Sequence, residues 1–344
     1  MPLTDLLGQD LAKERLLSMV ASGRMSQALL FVGPQGVGKA LAARVLVEAL
    51  NCHSRQKGDA CGRCPSCIQV SRQLYPDLLL VAPEKRQIKI EQIREIQDFI
   101  SYAPVVGERR TVIIQDAHFL NQIAANALLK TLEEPSSTVF FILLSHRHNL
   151  LPATVLSRCL VLPFVSLSGP TVVQILARQE VAAGVAEVEL RGAAAWSGGS
   201  MERALFFLEG ENLSWGQDFV GRFSSLPGNS LCTALDLAEE AAQSEALEVL
   251  FFILRSFMHD TLLYAQGLEN QASAFSGWRV NAVSFAKLGA PSLLLMRQQL
   301  LEIERGQAVN VNLKLAFEAF FTYIATGICS GQSSVVSETF VNGH

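Results

Sequence analysis

Short uninterrupted apolar runs alternate with helical periods through the first half of the chain. Ala28-Leu29-Leu30-Phe31-Val32 is apolar throughout, and similar runs recur at 78–81, 111–115, 138–144 and 159–162. Brief runs without polar alternation fit strands covered on both faces, so five strands of a buried parallel sheet are predicted. Leu6, Leu7, Leu11, Leu16, Leu17 and Val20 predict a helix over 6–20, and an alanine- and leucine-rich segment predicts another over 39–51. Ile93, Ile96, Phe99 and Ile100 mark one stripe of a helix starting near residue 90, and Asn121 caps a further helix that Pro135 stops. Strands alternating with helices imply an α/β fold with helices on both faces of the sheet.

Beyond Ser166 the strand signals fade. Helical patterns at 170–181, 186–196 and 200–208 predict a small helical domain, and 235–240, 247–264, 293–305 and 313–326 read as helices throughout. Three domains are therefore expected: an α/β domain over 1–165, a helical lid over 166–210 and an all-helical domain over 211–344. A length of 344 residues and 49% hydrophobic content supply the buried material for this division.

Charge follows the same division. Residues 1–165 carry 18 Lys+Arg against 14 Asp+Glu, residues 166–210 carry 3 against 5, and residues 211–344 carry 7 against 13. The net charge of −4 argues against a free-standing nucleic-acid binder held by bulk positive charge. The first residues lack the charged start and apolar core of a signal peptide, so a cytoplasmic protein is expected. The longest charge-free run, 159–177, is broken by Pro163, Gly169 and Pro170, so no membrane span is expected.

Gly33-Pro34-Gln35-Gly36-Val37-Gly38-Lys39 follows a predicted strand and opens a predicted helix, the context a phosphate-binding loop requires. Backbone amides and the helix N-terminus would cradle phosphate oxygens, and Lys39 would reach the terminal phosphates of ATP or ADP. The next position is Ala40, where the motif places a Ser or Thr hydroxyl for magnesium. A second half of such a site is supplied by Val112-Ile113-Ile114-Gln115-Asp116, but Ala117 stands where an ATPase needs an activating glutamate. Without that base, hydrolysis loses on the order of 10²–10⁴-fold. An active ATPase with an unusual motif is the competing reading.

Cys61-Gly62-Arg63-Cys64-Pro65-Ser66-Cys67 spaces three thiols two residues apart, and Cys52 lies nine positions upstream. Such knuckles match a tetrahedral site for one structural Zn2+, since four thiolates leave no position open to water. A redox Cys64/Cys67 pair is the alternative. Cys159, Cys232 and Cys329 are scattered.

These parts, in this order, resemble the bacterial clamp-loader family of AAA+ proteins, which load a ring-shaped sliding clamp onto primed DNA. The most specific segments are Asn126-Ala127-Leu128-Leu129-Lys130-Thr131-Leu132-Glu133-Glu134-Pro135 and Leu156-Ser157-Arg158-Cys159. Leu7-Gly8-Gln9 resembles the family's adenine-proximal segment, and the cysteine module after the phosphate-loop helix is shared. The resemblance is strong over 1–165, weaker over 166–210, and only a helical character beyond.

The resemblance implies a choice between an ATP-hydrolysing motor of the gamma/tau kind and a rigid, non-hydrolysing stator. Motors carry Thr, Glu and an arginine where this chain has Ala40, Ala117 and, in Gly199-Ser200-Met201-Glu202, Glu202. All three depart from a motor, and Arg203 lies about 100° further round the helix. Arg158 matches the family's arginine finger, which reaches the ATP of a neighbouring subunit; an ordinary surface ion pair is the plain alternative. Lys89 and Arg94, with Lys85 and Arg86, are expected to approach duplex phosphates at the start of the helix near residue 90, or else to form a solvated face. The implied partners are gamma/tau and delta subunits in a hetero-oligomer, with the sliding clamp and primed DNA reached through that complex.

Overall fold

A computed structural model describes residues 1–56, 58–133, 137–272, 278–307 and 311–327. The chain divides into two compact units, Met1–Ala204 and Leu205–His344. Of residues 166–210, expected as a lid, 166–204 fall in the first unit and 205–210 in the second.

In the first unit the elements run α1 (Asp10–Ser22), β1 (Ala28–Val32), α2 (Lys39–Leu50), α3 (Pro65–Ser71), β2 (Leu78–Val81), α4 (Ile90–Ser101) and β3 (Arg110–Ile114). They continue with α5 (Gln122–Glu133), β4 (Val139–Ser145), α6 (Ala153–Leu156), β5 (Leu160–Pro163), α7 (Gly169–Leu176), α8 (Glu187–Trp196) and α9 (Met201–Leu208), whose last four residues fall in the second unit. The five strands form one parallel sheet in the order β2-β3-β4-β1-β5.

The alternating faces of β1 explain its unbroken apolar character. Leu29 and Phe31 enter a core with Leu16, Leu46 and Val70 from α1, α2 and α3, while Ala28, Leu30 and Val32 enter another with Ile93 and Leu128 from α4 and α5. Both faces are dry, as a helix-covered parallel sheet demands. The edge strand β5 departs from this, since Leu160 and Val161 are 44% and 41% exposed. With a neighbour on one side only, its apolar residues are not all covered.

Local chemistry sets the element ends. Asn121 Oδ1 accepts from the Ala124 amide at 2.8 Å and caps α5 as expected. The first predicted helix begins later than its leucines suggest. Leu3–Asp5 form a separate 3-10 turn, and Gln9, left-handed at φ 57°, starts α1.

The second unit is helical: α10 (Asn212–Ser224), α11 (Leu231–Gln243), α12 (Leu247–Ala265), α13 (Arg279–Phe285), α14 (Ala290–Gly306) and α15 (Leu313–Thr326). Phe223 packs its ring against Phe257, Phe285 and Phe321, tying α10, α12, α13 and α15 together. Trp278 Nε1 donates to the buried Asp260 carboxylate at 3.0 Å. No helix among the described residues is long and apolar enough to cross a membrane.

Candidate functional site

Parallel strands bring their carboxyl ends to one edge of the sheet, where open α/β folds place ligands. The loop 33–38 leaves β1 there, Asp116 follows β3, and Ser145-His146 follow β4. β4 pairs with both β1 and β3, so the three segments are neighbours.

Gly36 (φ 72°) and Gly38 (φ 98°) adopt left-handed backbone that side-chain-bearing residues rarely take. Gly36 is also closely covered. A Cβ there would lie 2.1 Å from Ser200 Oγ and 3.0 Å from Glu202 Cβ. The Met201 amide donates to the Gly36 carbonyl at 2.8 Å, and Gln35 Nε2 donates to Glu202 Oε1 at 3.3 Å. The start of α9 therefore sits on the phosphate loop, with a carboxylate where the resemblance puts an arginine in motors.

Lys39 is buried, and its ammonium turns back to donate to the carbonyls of Gly33 (2.7 Å) and Pro34 (2.5 Å). Burial pulls its pKa down to about 8, against the opposing pull of Asp116 and Glu202. Asp116 is left-handed at φ 44° and accepts from His146 Nδ1 at 3.1 Å. That hydrogen bond holds its carboxyl below the usual range against burial. Gln9 ties the adenine-proximal segment to this loop: its Nε2 donates to the Val37 and Val165 carbonyls, and its Oε1 accepts from the Val165 amide.

Ala40 and Ala117 occupy the positions read from the sequence, so neither a Ser/Thr hydroxyl nor a glutamate stands there. His118 and His146 belong to no motif that the sequence displays. Each closely follows a predicted strand end, which is the signal that could have found them. His118 is 7% exposed; burial, then His146, push its pKa down to about 4, so its imidazole is neutral at neutral pH.

Cys52, Cys61, Cys64 and Cys67 bring four sulfurs within 4.8 Å of one another. The Cys61 amide points at Cys52 Sγ and the Cys64 amide at Cys61 Sγ, each at 3.3 Å. Amides directed at sulfur stabilise thiolates. The Arg63 amide is the leading cause of a Cys61 pKa lowered to about 6. The donor set and its closeness fit a four-thiolate metal site. Pro65 opens α3 at its first turn, and this helix carries Cys67 back under the knuckle. Cys159 and Cys232 are not members of the cluster, and Cys329 lies outside the described residues.

Arg158 lies between α6 and β5, half-buried. Its guanidinium donates to Glu133 Oε1 at 2.5 Å and to the Thr154 carbonyl at 2.9 Å. Glu134 and Pro135 lie outside the described residues. Lys89 and Arg94 are exposed at the beginning of α4, where the Lys89 amide donates to Gln92 Oε1 at 3.2 Å. They follow the edge strand β2 and do not join the phosphate loop.

The parallel sheet, the glycine-rich loop opening a helix and the acidic strand end define an α/β domain of P-loop type. Residues 8–168 match the protein family described as "DNA polymerase III, delta subunit". The chain is 38% identical over 156 residues to DNA polymerase III subunit tau of Salmonella typhimurium, covering 45% of this chain and 24% of that one. It is 28% identical over 294 residues to subunit tau of Bacillus subtilis, covering 77% and 51% respectively. It is 35% identical over 136 residues to subunit delta' of Pseudomonas aeruginosa, covering 39% and 42%. The match thus spans only about a quarter of the Salmonella relative's length and about half of the Bacillus one. Over residues 8–168 the chain is thus similar to subunits of DNA polymerase III.

Proposed function

We propose that this chain is a non-hydrolysing or weakly hydrolysing stator subunit of a bacterial clamp loader, of the delta-prime kind, working in the cytoplasm. The observation that carries this reading is the nucleotide site itself. It keeps Lys39 and Asp116 but has Ala40 for the magnesium hydroxyl, Ala117 for the general base, and Glu202 packed over Gly36. A carboxylate beside the loop opposes the charge of a triphosphate, and the missing base removes activation of water. ATP or ADP held by Gly33, Gly36, Gly38 and Lys39 would serve structure rather than turnover.

In this reading Arg158 supplies a planar, permanently charged guanidinium to ATP on a neighbouring gamma/tau subunit. Cys52, Cys61, Cys64 and Cys67 hold one Zn2+, which fixes the module's fold without an open catalytic position. The acidic helical unit joins the other subunits in a hetero-oligomer with gamma/tau and delta. Lys89 and Arg94 contribute to a path for primed DNA once the sliding clamp is engaged, several such patches together supplying what one neutral-to-acidic chain lacks.

The 38% identity to a tau subunit favours a second reading, an ATP-hydrolysing motor. Turnover by the purified chain separates the two. The stator reading expects no magnesium-dependent ATP hydrolysis above background, with or without DNA and clamp. Robust turnover that Lys39→Ala abolishes would establish the motor instead.

A further inference from the structure

Two histidines and an aspartate converge where β3 and β4 end, and the stator reading uses only the aspartate. His146 Nδ1 lies 3.1 Å from Asp116 Oδ1, and the His118 and His146 rings meet edge-on with centroids 4.2 Å apart. One nitrogen of each ring and one carboxylate oxygen all lie within 4.8 Å of one another.

The two imidazoles differ in their bonding. His118 Nδ1 faces Ser145 Oγ at 3.3 Å, whereas its Nε2, buried, has no hydrogen-bond partner. An unpartnered buried ring nitrogen costs stability unless something occupies it. An apolar side chain at position 118 would avoid that cost, so the orphaned nitrogen points to a ligand.

From this geometry we propose that Asp116, His118 and His146 form a binding site for a divalent transition metal of the zinc class, distinct from the four-cysteine cluster. Two imidazoles and a carboxylate are the donor set that borderline metals prefer over magnesium or calcium. Metal–ligand bonds of about 2.0–2.1 Å place ligands roughly 3–3.4 Å apart, so the group needs only a modest contraction. His146, only partly buried, has room to supply it.

The surrounding groups fit this role. Ser145 Oγ on Nδ1 holds the His118 ring in orientation and leaves Nε2 for the metal, the usual arrangement of an outer-shell partner. Lys39 directs its ammonium to the Gly33 and Pro34 carbonyls, while its charge and that of Arg147 act on His118 against a bound cation. Three protein ligands leave coordination positions open to water or a phosphate oxygen. Because Asp116 also belongs to the nucleotide site, a metal here would lie beside the phosphate loop and be independent of the hydroxyl missing at Ala40.

The test compares zinc content of the full chain with that of His118→Ala/His146→Ala and of His146→Ala alone after equilibrium dialysis against buffered Zn2+. Whatever the cysteines take cancels in the difference. Wild type is expected to hold one equivalent more than either variant, and after Co2+ loading the wild-type-minus-variant difference spectrum should show a weak visible absorption without a thiolate charge-transfer band. Equal zinc content in wild type and His146→Ala, with both chains folded by circular dichroism, overturns the site. ATP turnover plays no part in this readout, so its outcome is separate from the stator proposal.

Discussion

Arg158 donates to Glu133 Oε1 at 2.5 Å, tying the turn before β5 to the last residue of α5. The side chains are 32% and 47% exposed, and a pair so placed contributes only about 0–1 kcal/mol. Glu133 therefore orients the guanidinium without locking it, and a stronger partner, such as a terminal phosphate, can take it.

Arginine fingers in other phosphoryl-transfer assemblies are worth roughly 10³–10⁵-fold in kcat. Arg158→Ala is expected to leave the subunit folded and assembled and to lower hydrolysis at the adjoining site by about 10³-fold. The measurement is ATP turnover in a reconstituted complex whose other motor sites are silenced. Arg158→Lys should rescue little, because the planar fork is lost. Unchanged turnover in Arg158→Ala would mean that the Glu133 pair is the residue's whole role.

The cysteine cluster makes a separate prediction, since four thiolates around one ion would tie Cys52, just beyond α2, to Cys67 in α3. Chelation of the metal is expected to lower the thermal midpoint, and re-addition of Zn2+ to restore it. Cys64→Ser should lose the tightly held equivalent, measured by metal analysis with thiol counting. A chain that keeps full zinc content and melting temperature after Cys64→Ser refutes four-thiolate coordination.

Asp77 gives a prediction in pH. The carboxylate is fully buried and accepts from the amides of Val105 (2.7 Å), Val106 (2.8 Å) and Gly107 (2.8 Å), with Arg110 Nε at 3.9 Å. Burial alone would raise its pKa; the three amides and Arg110 outweigh that and hold it below its ordinary 3.8. A depressed carboxylate contributes fully above its unfolded value, and the contribution disappears as pH falls through the lower folded value. Asp77→Ala, which strands the donors and the Arg110 charge, is expected to cost about 3–5 kcal/mol at neutral pH. Against wild type, urea unfolding of Asp77→Asn should show a constant deficit above about pH 4 that narrows below it. A deficit unchanged down to pH 2 would mean that the carboxylate's charge is not what stabilises this loop.

The strands were legible because β1 and its neighbours are covered on both faces, and a short apolar run bounded by turn residues fits little but a buried strand. The cysteine knuckles and the phosphate loop were legible for a similar reason: their spacing is imposed by local geometry. α10 was not, since Gly216, Gly221, Ser214 and Ser224 weaken its period, and packing of Phe219 and Phe223 decides its fate. His118 and His146 lie 28 residues apart in sequence, so only the pairing of β3 with β4 brings them together. The same holds for Glu202, recognisable as a departure from the motor pattern but not as a residue packed on Gly36.

Restoring the motor residues tests how much of the deficit at the nucleotide site is local chemistry. Ala117→Glu returns a base at the end of β3, Ala40→Thr returns a hydroxyl at the second residue of α2, and Glu202→Arg replaces a carboxylate beside the loop with a cation. Glu202→Arg alone should tighten nucleotide binding, read by fluorescence of a labelled ATP, because it removes a like charge and adds an opposite one near the phosphates. It should not restore turnover while position 117 lacks a base. The triple variant, assembled so that a neighbour supplies its own arginine finger, is expected to raise turnover at this site by about 10²–10⁴-fold over the parent chain, the range a positioned general base contributes. If binding tightens but the triple variant remains inert, the block lies in the docking of α9 on Gly36. Gly36 offers no space for relief there, so Ser200→Gly, which removes the hydroxyl nearest it, is then the change expected to release it.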